Sequence, residues 1–330
     1  MGKTIADIGE FGLIQSICHD LLYRPELVKL GAGDDGAVYT IPDGYDQVIS
    51  TDTMVEGIHF NEKTMTPFAV GYKLCASNFS DMAAMGAEAV GFVISAALPD
   101  TLSCDWVTAC YEGIRACARK YQVNLLGGDV TGSPNGVILT GTVVGMVPKD
   151  TAVKRSGAQV GDYVFVTETL GDSAAGLAAL LHGIDKDYPK VVKRHQKPEP
   201  QIALGTMLRE AGASSLNDIS DGLSRELNEI AKASGVIIEI EEEKIPLSTE
   251  ACHLGQVLGK SPVLWALNGG EDYELVGTLS PSSYEKISCK DTITLIGRVI
   301  DASPSEAGVY IIGKKGRCRL SARGYDHFTK

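Results

Sequence analysis

GVILTGTVVGMVPKDTAVKRSGAQVGDYVFVTE, residues 136–168, decides how this chain is organised. Its opening residues, 136–147, are rich in valine and small side chains and read as one long strand. The next stretch, PKDTAVKRSGAQVGD at 148–162, is polar and carries proline and glycine, so the pattern breaks there. A second strand restarts at 162–167. One folding unit ends and another begins. The chain has 330 residues, more than a single core usually serves. We therefore expect two domains, residues 1–149 and 150–330.

Working towards the N-terminus, the pattern predicts a strand at 89–97, a strand at 47–51 and a Gly/Asp loop at 31–36. Helices are expected at 10–22, at 67–85 behind Thr66 and Pro67, and at 103–120 behind Ser103. Residues 122–126 lead into Gly127, Gly128 and Asp129. Towards the C-terminus, helices are expected from about 172, at 199–211 and at 222–234. Strands follow at 236–240, 273–279, 292–300 and 308–312. Both halves mix strands and helices, so the fold class is α/β (α+β) for each. The long valine-rich strands suit a sheet or barrel that pairs with a second subunit.

A net charge of −12 argues against nucleic acid or an anionic membrane as partner. The densest basic run, Lys314, Lys315, Arg317 and Arg319, reads as a solvated hairpin face. Eight cysteines occur without a CxxC pair, most of them in apolar stretches, which favours buried free thiols over disulfides or zinc. The N-terminal residues show no apolar signal region, and no run approaches a membrane span. A cytoplasmic location is expected.

The acidic residues gather where strands or glycine turns end. Asp34 and Asp35 lie in GAGDDGAV, Asp52 in VISTDT, Asp81 in NFSDMAAMGA and Asp129 in LLGGDVTG. Asp218 and Asp221 lie in NDISDGL, and Glu271 and Asp272 in NGGEDYEL. One aspartate in a turn needs only its capping role, and Asp35 reads that way. The whole set points instead to a shared centre for several hard cations, with Ser50 and Thr51 as added oxygen donors. Magnesium favours such oxygen ligands and then receives phosphates. The few isolated histidines disfavour zinc.

Two motifs mislead. GAGDDG at 31–36 fits a dinucleotide-binding glycine pattern, but AVYTIP follows it, which is strand-like and ends at a proline. GQVLGKS at 255–261 is one spacer short of a phosphate-binding loop and has no strand before it. Protein-kinase motifs are absent from the chain.

In order along the chain stand GDDGAV (33–38), STDTMVEGIHF (50–60), NFSDMAAMGA (78–87), GGD (127–129), KRSGAQVGD (154–162), DISDGL (218–223), GGEDYEL (269–275) and GYDHF (324–328). This ordered set resembles the thiamine-monophosphate kinases, within the superfamily of aminoimidazole ribonucleotide synthetase and selenophosphate synthetase. The resemblance implies an N-terminal α/β domain whose strands pair across a homodimer into a barrel. It also implies a C-terminal α/β domain with a ferredoxin-like core that completes an active-site cleft. By the same resemblance Asp34, Ser50, Thr51, Asp52, Asp81, Asp129, Asp218 and Asp221 would hold several Mg²⁺ ions. Gly128, Asp129, Arg155, Ser220 and Tyr111 would contact ATP. His59, Glu271 and Tyr325 would contact thiamine monophosphate. The chain departs slightly at Gly36, where relatives often carry alanine, and at Tyr325, where another aromatic can stand.

The implied reaction moves the γ-phosphoryl of ATP in line onto the acceptor phosphate, giving ADP and thiamine diphosphate. That acceptor is already ionised, so no side chain is assigned as catalytic base, and positioning with charge neutralisation carries the rate. Rival readings are a superfamily member with another substrate, a metal-dependent phosphatase and a non-catalytic nucleotide-binding subunit. Cys18 lies in an apolar helix and the chain ends GYDHFTK. Neither feature fits the cysteine chemistry of the selenophosphate and hydrogenase-maturation relatives.

Overall fold

A computed structural model describes residues 3–288, 290–301 and 307–324. The chain divides into two compact units. One runs to Met82 and includes Glu88–Asp150; the other comprises Ala83–Ala87 and the residues from Thr151 onward.

The N-terminal unit runs α1 (Ile5–Ile17), β1 (Val28–Leu30), β2 (Val38–Tyr39), β3 (Tyr45–Val55), α2 (Pro67–Ala84), β4 (Glu88–Leu98), α3 (Cys104–Tyr121), β5 (Asn124–Gly132) and β6 (Ile138–Pro148). Its main sheet has the order β3-β6-β4-β5 and is open. β4 and β5 are parallel and the other pairs antiparallel. α2 starts where Thr66 accepts a hydrogen bond from the Ala69 amide at 3.2 Å. α3 starts where Ser103 accepts one from Trp106 at 3.1 Å. Side-chain caps of this kind satisfy amides that the first turn leaves open.

Glycine lets α2 and α3 touch along their backbones. A Cβ on Gly71 would lie 1.9 Å from the Cys110 carbonyl oxygen, and one on Gly113 would lie 1.9 Å from that of Phe68. Under them Phe79 meets Phe92 edge-on, with ring centroids 5.4 Å apart. Along β3 the alternate residues Ile49, Thr51 and Thr53 are exposed, whereas Ser50 and Asp52 are half-buried and Met54 is buried. The period of two thus sorts the strand into an open face and a face turned towards α2.

The C-terminal unit contains β7 (Tyr163–Thr167), α4 (Asp172–Leu181), α5 (Pro189–Gln196), α6 (Ile202–Ala211), β8 (Ala213–Asp218), α7 (Leu223–Ser234) and β9 (Ile237–Glu241). It continues with α8 (Thr249–Leu258), α9 (Pro262–Asn268), β10 (Leu275–Leu279), α10 (Pro281–Tyr284), β11 (Ile293–Ile300), β12 (Gly308–Gly313) and β13 (Gly316–Leu320). Its seven-stranded mixed sheet has the order β13-β12-β9-β11-β7-β10-β8. Only β12 and β9 run parallel among its pairs. One core cluster joins Val164, Val166, Leu223, Leu227, Ile230 and Ile238, so α7 lies on this sheet.

Several elements differ from the sequence-based expectation. The first helix is Ile5–Ile17 rather than 10–22. Thr4 and Asp7 form a capping box at its start, and Gly9, at φ 68°, breaks it within. The helix expected from 199 begins at Ile202, because Pro198 and Pro200 hold the residues before them extended. GQVLGKS closes α8 and opens α9: Gly259 takes the left-handed conformation at the end of α8, and Ser261 caps α9. The basic run lies on the hairpin of β12 and β13. Of the cysteines among the described residues, Cys75, Cys110 and Cys117 are buried while Cys18 and Cys318 are exposed; all are free. Burial therefore covers fewer thiols than the apolar stretches suggested. Among the described residues no helix is long and apolar enough to cross a membrane.

Candidate active site

In the N-terminal unit, Ser50 and Asp52 project from β3 towards α2. The Ser50 hydroxyl donates to the Asp81 carboxylate at 2.5 Å, and the Asp52 amide donates to Asn78 Oδ1 at 3.1 Å. Asn78 and Asp81 sit one turn apart on α2, so one helix face addresses consecutive inward residues of the strand. Thr51 points the other way. Its hydroxyl lies 2.7 Å from the Gly141 carbonyl and 3.1 Å from the Thr142 hydroxyl. Strand alternation thus parts its side chain from those of Ser50 and Asp52.

Asp52 begins a row across the sheet: Asp52 pairs with Gly141 on β6, Gly141 with Ile94 on β4, and Ile94 with Gly128 on β5. Asp129 is in the next row, beside Ser95. Three strand spacings put roughly 14 Å between the two ends of such a row. Asp52 and Asp129 therefore lie too far apart across the sheet to bind one ion together within this unit. Asp34 is exposed in the Gly/Asp loop and accepts a 2.9 Å hydrogen bond from the Asp35 amide. His59 Nδ1 accepts from the Val55 amide at 3.0 Å, which fixes the turn after β3. Tyr111 is buried on α3, and burial raises its phenol above the ordinary value.

In the C-terminal unit, the stretch from Asp218 to Asp221 leads from the end of β8 into α7, and it is laced to the segment 271–274. The Glu271 amide donates to the Ser220 carbonyl at 2.7 Å, the Tyr273 amide to the Ile219 carbonyl at 2.9 Å, and the Ile219 amide to the Glu274 carbonyl at 2.7 Å. Glu271 and Tyr273 adopt φ values of 67° and 53°, a region that costs non-glycine residues energy. Gly270 is required here, since a Cβ would lie 2.3 Å from the Ser220 oxygen. Behind the lacing, Asp272 accepts hydrogen bonds from the Gly171 and Ser173 amides at 2.7 and 3.0 Å, at the start of α4. Burial pushes its carboxyl up to about 7. Glu271 Oε2 lies 3.6 Å from His195 Nδ1, which is 3.1 Å from the Ser173 hydroxyl.

Arg155 is exposed, and its Nε donates to Asn217 Oδ1 at 3.0 Å. Asn217 in turn donates to Glu226 Oε2 at 2.5 Å, and Glu226 Oε1 accepts from the Asp221 amide at 3.2 Å. Burial pushes the Glu226 carboxyl up to about 7. Arg225 Nε lies 3.5 Å from the Asp221 carboxylate. Further back, Glu274 meets Arg194 at 3.3 Å and accepts from the Thr167 hydroxyl at 2.6 Å.

Tyr325 lies outside the described residues. Among the described residues no three Asp, Glu, His or Cys side chains form a ready cage for an ion. Ser50 and Asp81 bring a hydroxyl and a carboxylate together, a pair of oxygen donors that suits a hard cation. Sequence reasoning missed Asn217, Glu226 and His195 as site-supporting groups, and it read Asp272 as one of the cation-facing acids, whereas Asp272 accepts from the Gly171 and Ser173 amides. Only Glu226 gave a signal, as an acid in the first turn of a helix behind an aspartate-rich loop.

Comparison with known proteins follows the same division. The AIR synthase related protein N-terminal domain matches residues 33–147, and the corresponding C-terminal domain matches residues 159–284. The thiamine-monophosphate kinase of Bacillus subtilis is 38% identical, over 97% of this chain and 99% of its own. The chain belongs to the thiamine-monophosphate kinase family. The family member from Escherichia coli K12 is 36% identical over 97% of this chain and 98% of its own. A crystal structure of the thiamine-monophosphate kinase from Stenotrophomonas maltophilia K279a superposes with a TM-score of 0.81, at 33% identity, covering 92% of this chain and 96% of that one. The structure of AaThiL complexed with AMPPCP and TMP superposes at 0.79, with 34% identity and 97% of each chain covered. The hydrogenase maturation protein HypE in complex with ATP shares the fold at 17% identity and a TM-score of 0.74, over 98% of this chain and 94% of that one.

Proposed function

We propose that this thiamine-monophosphate kinase family member phosphorylates thiamine monophosphate with ATP, forming thiamine diphosphate and ADP. The observation that carries this reading is that relatives named for that reaction match both units almost end to end, at 38% identity in the B. subtilis case. A neighbour at 34% identity was crystallised with AMPPCP and TMP together, which supports the same pair of substrates.

The reaction is a direct in-line transfer. A terminal oxygen of the acceptor phosphate bonds to the γ-phosphorus as the bond to the β,γ-bridging oxygen breaks, and ADP leaves with the electron pair. Two anions must approach, so positioning and charge neutralisation dominate. Arg155 supplies a forked cation for a phosphate. Gly128, Asp129 and Ser220 contact the nucleotide, with Tyr111 as a further contact. His59, Glu271 and Tyr325 orient the acceptor. Asp34, Ser50, Asp52, Asp81, Asp129, Asp218 and Asp221, with Thr51 beside them, would hold Mg²⁺. When bound, the ions would screen the phosphate oxygens. The open sheet of the N-terminal unit, with the exposed Ile49 and Val93, favours a homodimer, and the cytoplasm is the proposed location.

The test is one incubation of purified protein with ATP, Mg²⁺ and thiamine monophosphate, followed by chromatography. Thiamine diphosphate that appears only with all three, and disappears in Asp52→Asn, is the expected result. ATP consumed without thiamine diphosphate would mean another acceptor; no consumption of ATP would overturn the reading.

A further inference from the structure

Arg155 stands on an exposed connecting segment, yet one of its five donors is committed. Its Nε is tied to Asn217, Asn217 to Glu226, and Glu226 to the amide of Asp221, through contacts of 3.0, 2.5 and 3.2 Å. Asn217 and Glu226 are 2% and 3% exposed, so the middle of this chain is sealed from water and its geometry fixed. A guanidinium is planar. Fixing Nε therefore fixes the direction of the remaining four N–H bonds, which lie on the two terminal nitrogens.

We propose that Asn217 and Glu226 are positioning residues that set the Arg155 fork and the Asp221 loop relative to each other, so that the nucleotide's phosphates meet both in one prearranged geometry. This rests on the ATP-dependent reading above. Neither residue need touch a reactant; both act through the groups they hold. The polarity of the chain is fully determined. Asn217 uses its oxygen for Arg155 and its amino group for Glu226, and Glu226 uses one oxygen for each of its donors. No flip of the Asn217 amide keeps both contacts.

That determinacy supplies a test. In Glu226→Gln the new amide has one oxygen and one amino group, so one neighbouring donor faces a donor whichever way the amide turns. The double variant N217D/E226Q restores every link: the carboxylate at 217 accepts from Arg155 and from the amide at 226, whose oxygen accepts from Asp221. ATP binding in the presence of Mg²⁺ is measured by calorimetry on wild type and both variants, with KM for each substrate and thermal melting alongside. We expect Glu226→Gln to weaken ATP by about tenfold, the scale of one lost charge-assisted hydrogen bond. KM for thiamine monophosphate should stay within about twofold, and N217D/E226Q should recover most of the ATP affinity, because the swap re-pairs every donor. Unchanged ATP binding in Glu226→Gln overturns the proposal, as does a double variant that melts like wild type yet binds ATP as weakly as the single one. If Glu226→Gln does not fold, the double variant decides alone: N217D/E226Q that melts like wild type yet binds ATP about tenfold more weakly than wild type overturns the proposal. Wild type that binds ATP but makes no thiamine diphosphate would sink the functional reading and leave this test intact.

Discussion

The Ser50 hydroxyl donates to the Asp81 carboxylate at 2.5 Å, joining β3 to α2 at a point where two proposed metal-holding residues meet. A hydroxyl in that place orients the carboxylate and can itself supply oxygen. Removing it deletes one contact that orients Asp81 without deleting its charge.

Ser50→Ala should therefore lower kcat/KM by about tenfold, the usual scale for groups that orient a ligand. Raising Mg²⁺ should recover part of the loss. Asp81→Asn should cost more, about a hundredfold or beyond, and resist recovery. Steady-state rates across a Mg²⁺ titration check this; identical Mg²⁺ dependence in Ser50→Ala and wild type would refute the orienting role.

Gly128 gives a second prediction that concerns packing. A Cβ there would lie 2.0 Å from the Ile94 carbonyl oxygen, an atom of the paired strand that cannot move aside. Gly128→Ala should destabilise the protein by about 3 kcal/mol, as overpacking against fixed atoms does. Gly132, on the same strand, has open space around its Cβ position. Gly132→Ala should be nearly neutral. Urea unfolding of both variants gives the comparison directly.

The third prediction is a pH dependence. Burial pushes the Glu274 carboxyl up to about 8, outweighing the opposite pull of Arg194. The native state therefore holds a proton there that the unfolded chain, near 4.5, has released. The stability this group adds is whole below about pH 4.5 and is lost as pH rises through about 8. Asp272, raised to about 7, loses its share earlier. Between pH 7 and 8 the unfolding free energy should fall by up to about 1.4 kcal/mol per unit for Glu274. Glu274→Gln should flatten that interval. Denaturant titrations at several pH values measure it, and a slope unchanged in the variant would show that Glu274 is ionised throughout.

Much of the architecture was readable wherever local chemistry and tertiary burial agreed. Thr66, Pro67 and Ser103 announced two helices whose starts match their caps. The long strand ending at Pro148 and the strand that restarts at Tyr163 stand close to where the pattern put them. β8 was invisible because ASSLND has no apolar alternation. Its buried Ser215 is satisfied by the Thr278 hydroxyl at 2.7 Å, a partner 63 residues away. The candidate site divided in the same manner. Aspartates beside glycines stand out in a sequence; Asp34 and Asp221 sit in loops as expected, whereas Asp52 and Asp129 lie inside β3 and β5, and Asp81 inside α2. Thr51 could not be separated from Ser50 and Asp52 without knowing which face of β3 is covered. Asn217 and His195 carry no local pattern at all, since their roles come from residues far along the chain.

The row from Asp52 through Gly141 and Ile94 to Gly128 makes the register of one small sheet a coordinate system for chemistry. A side-chain period of two means that a one-residue insertion or deletion early in β3 would send Ser50 and Asp52 to the open face and carry Ile49, Thr51 and Thr53 inward. Point changes at the outward positions leave that frame intact, whereas a single-codon length change erases it. Homologues should therefore vary freely in the loops flanking this strand and hold the strand itself to a fixed length, with length variation admitted only in steps of two.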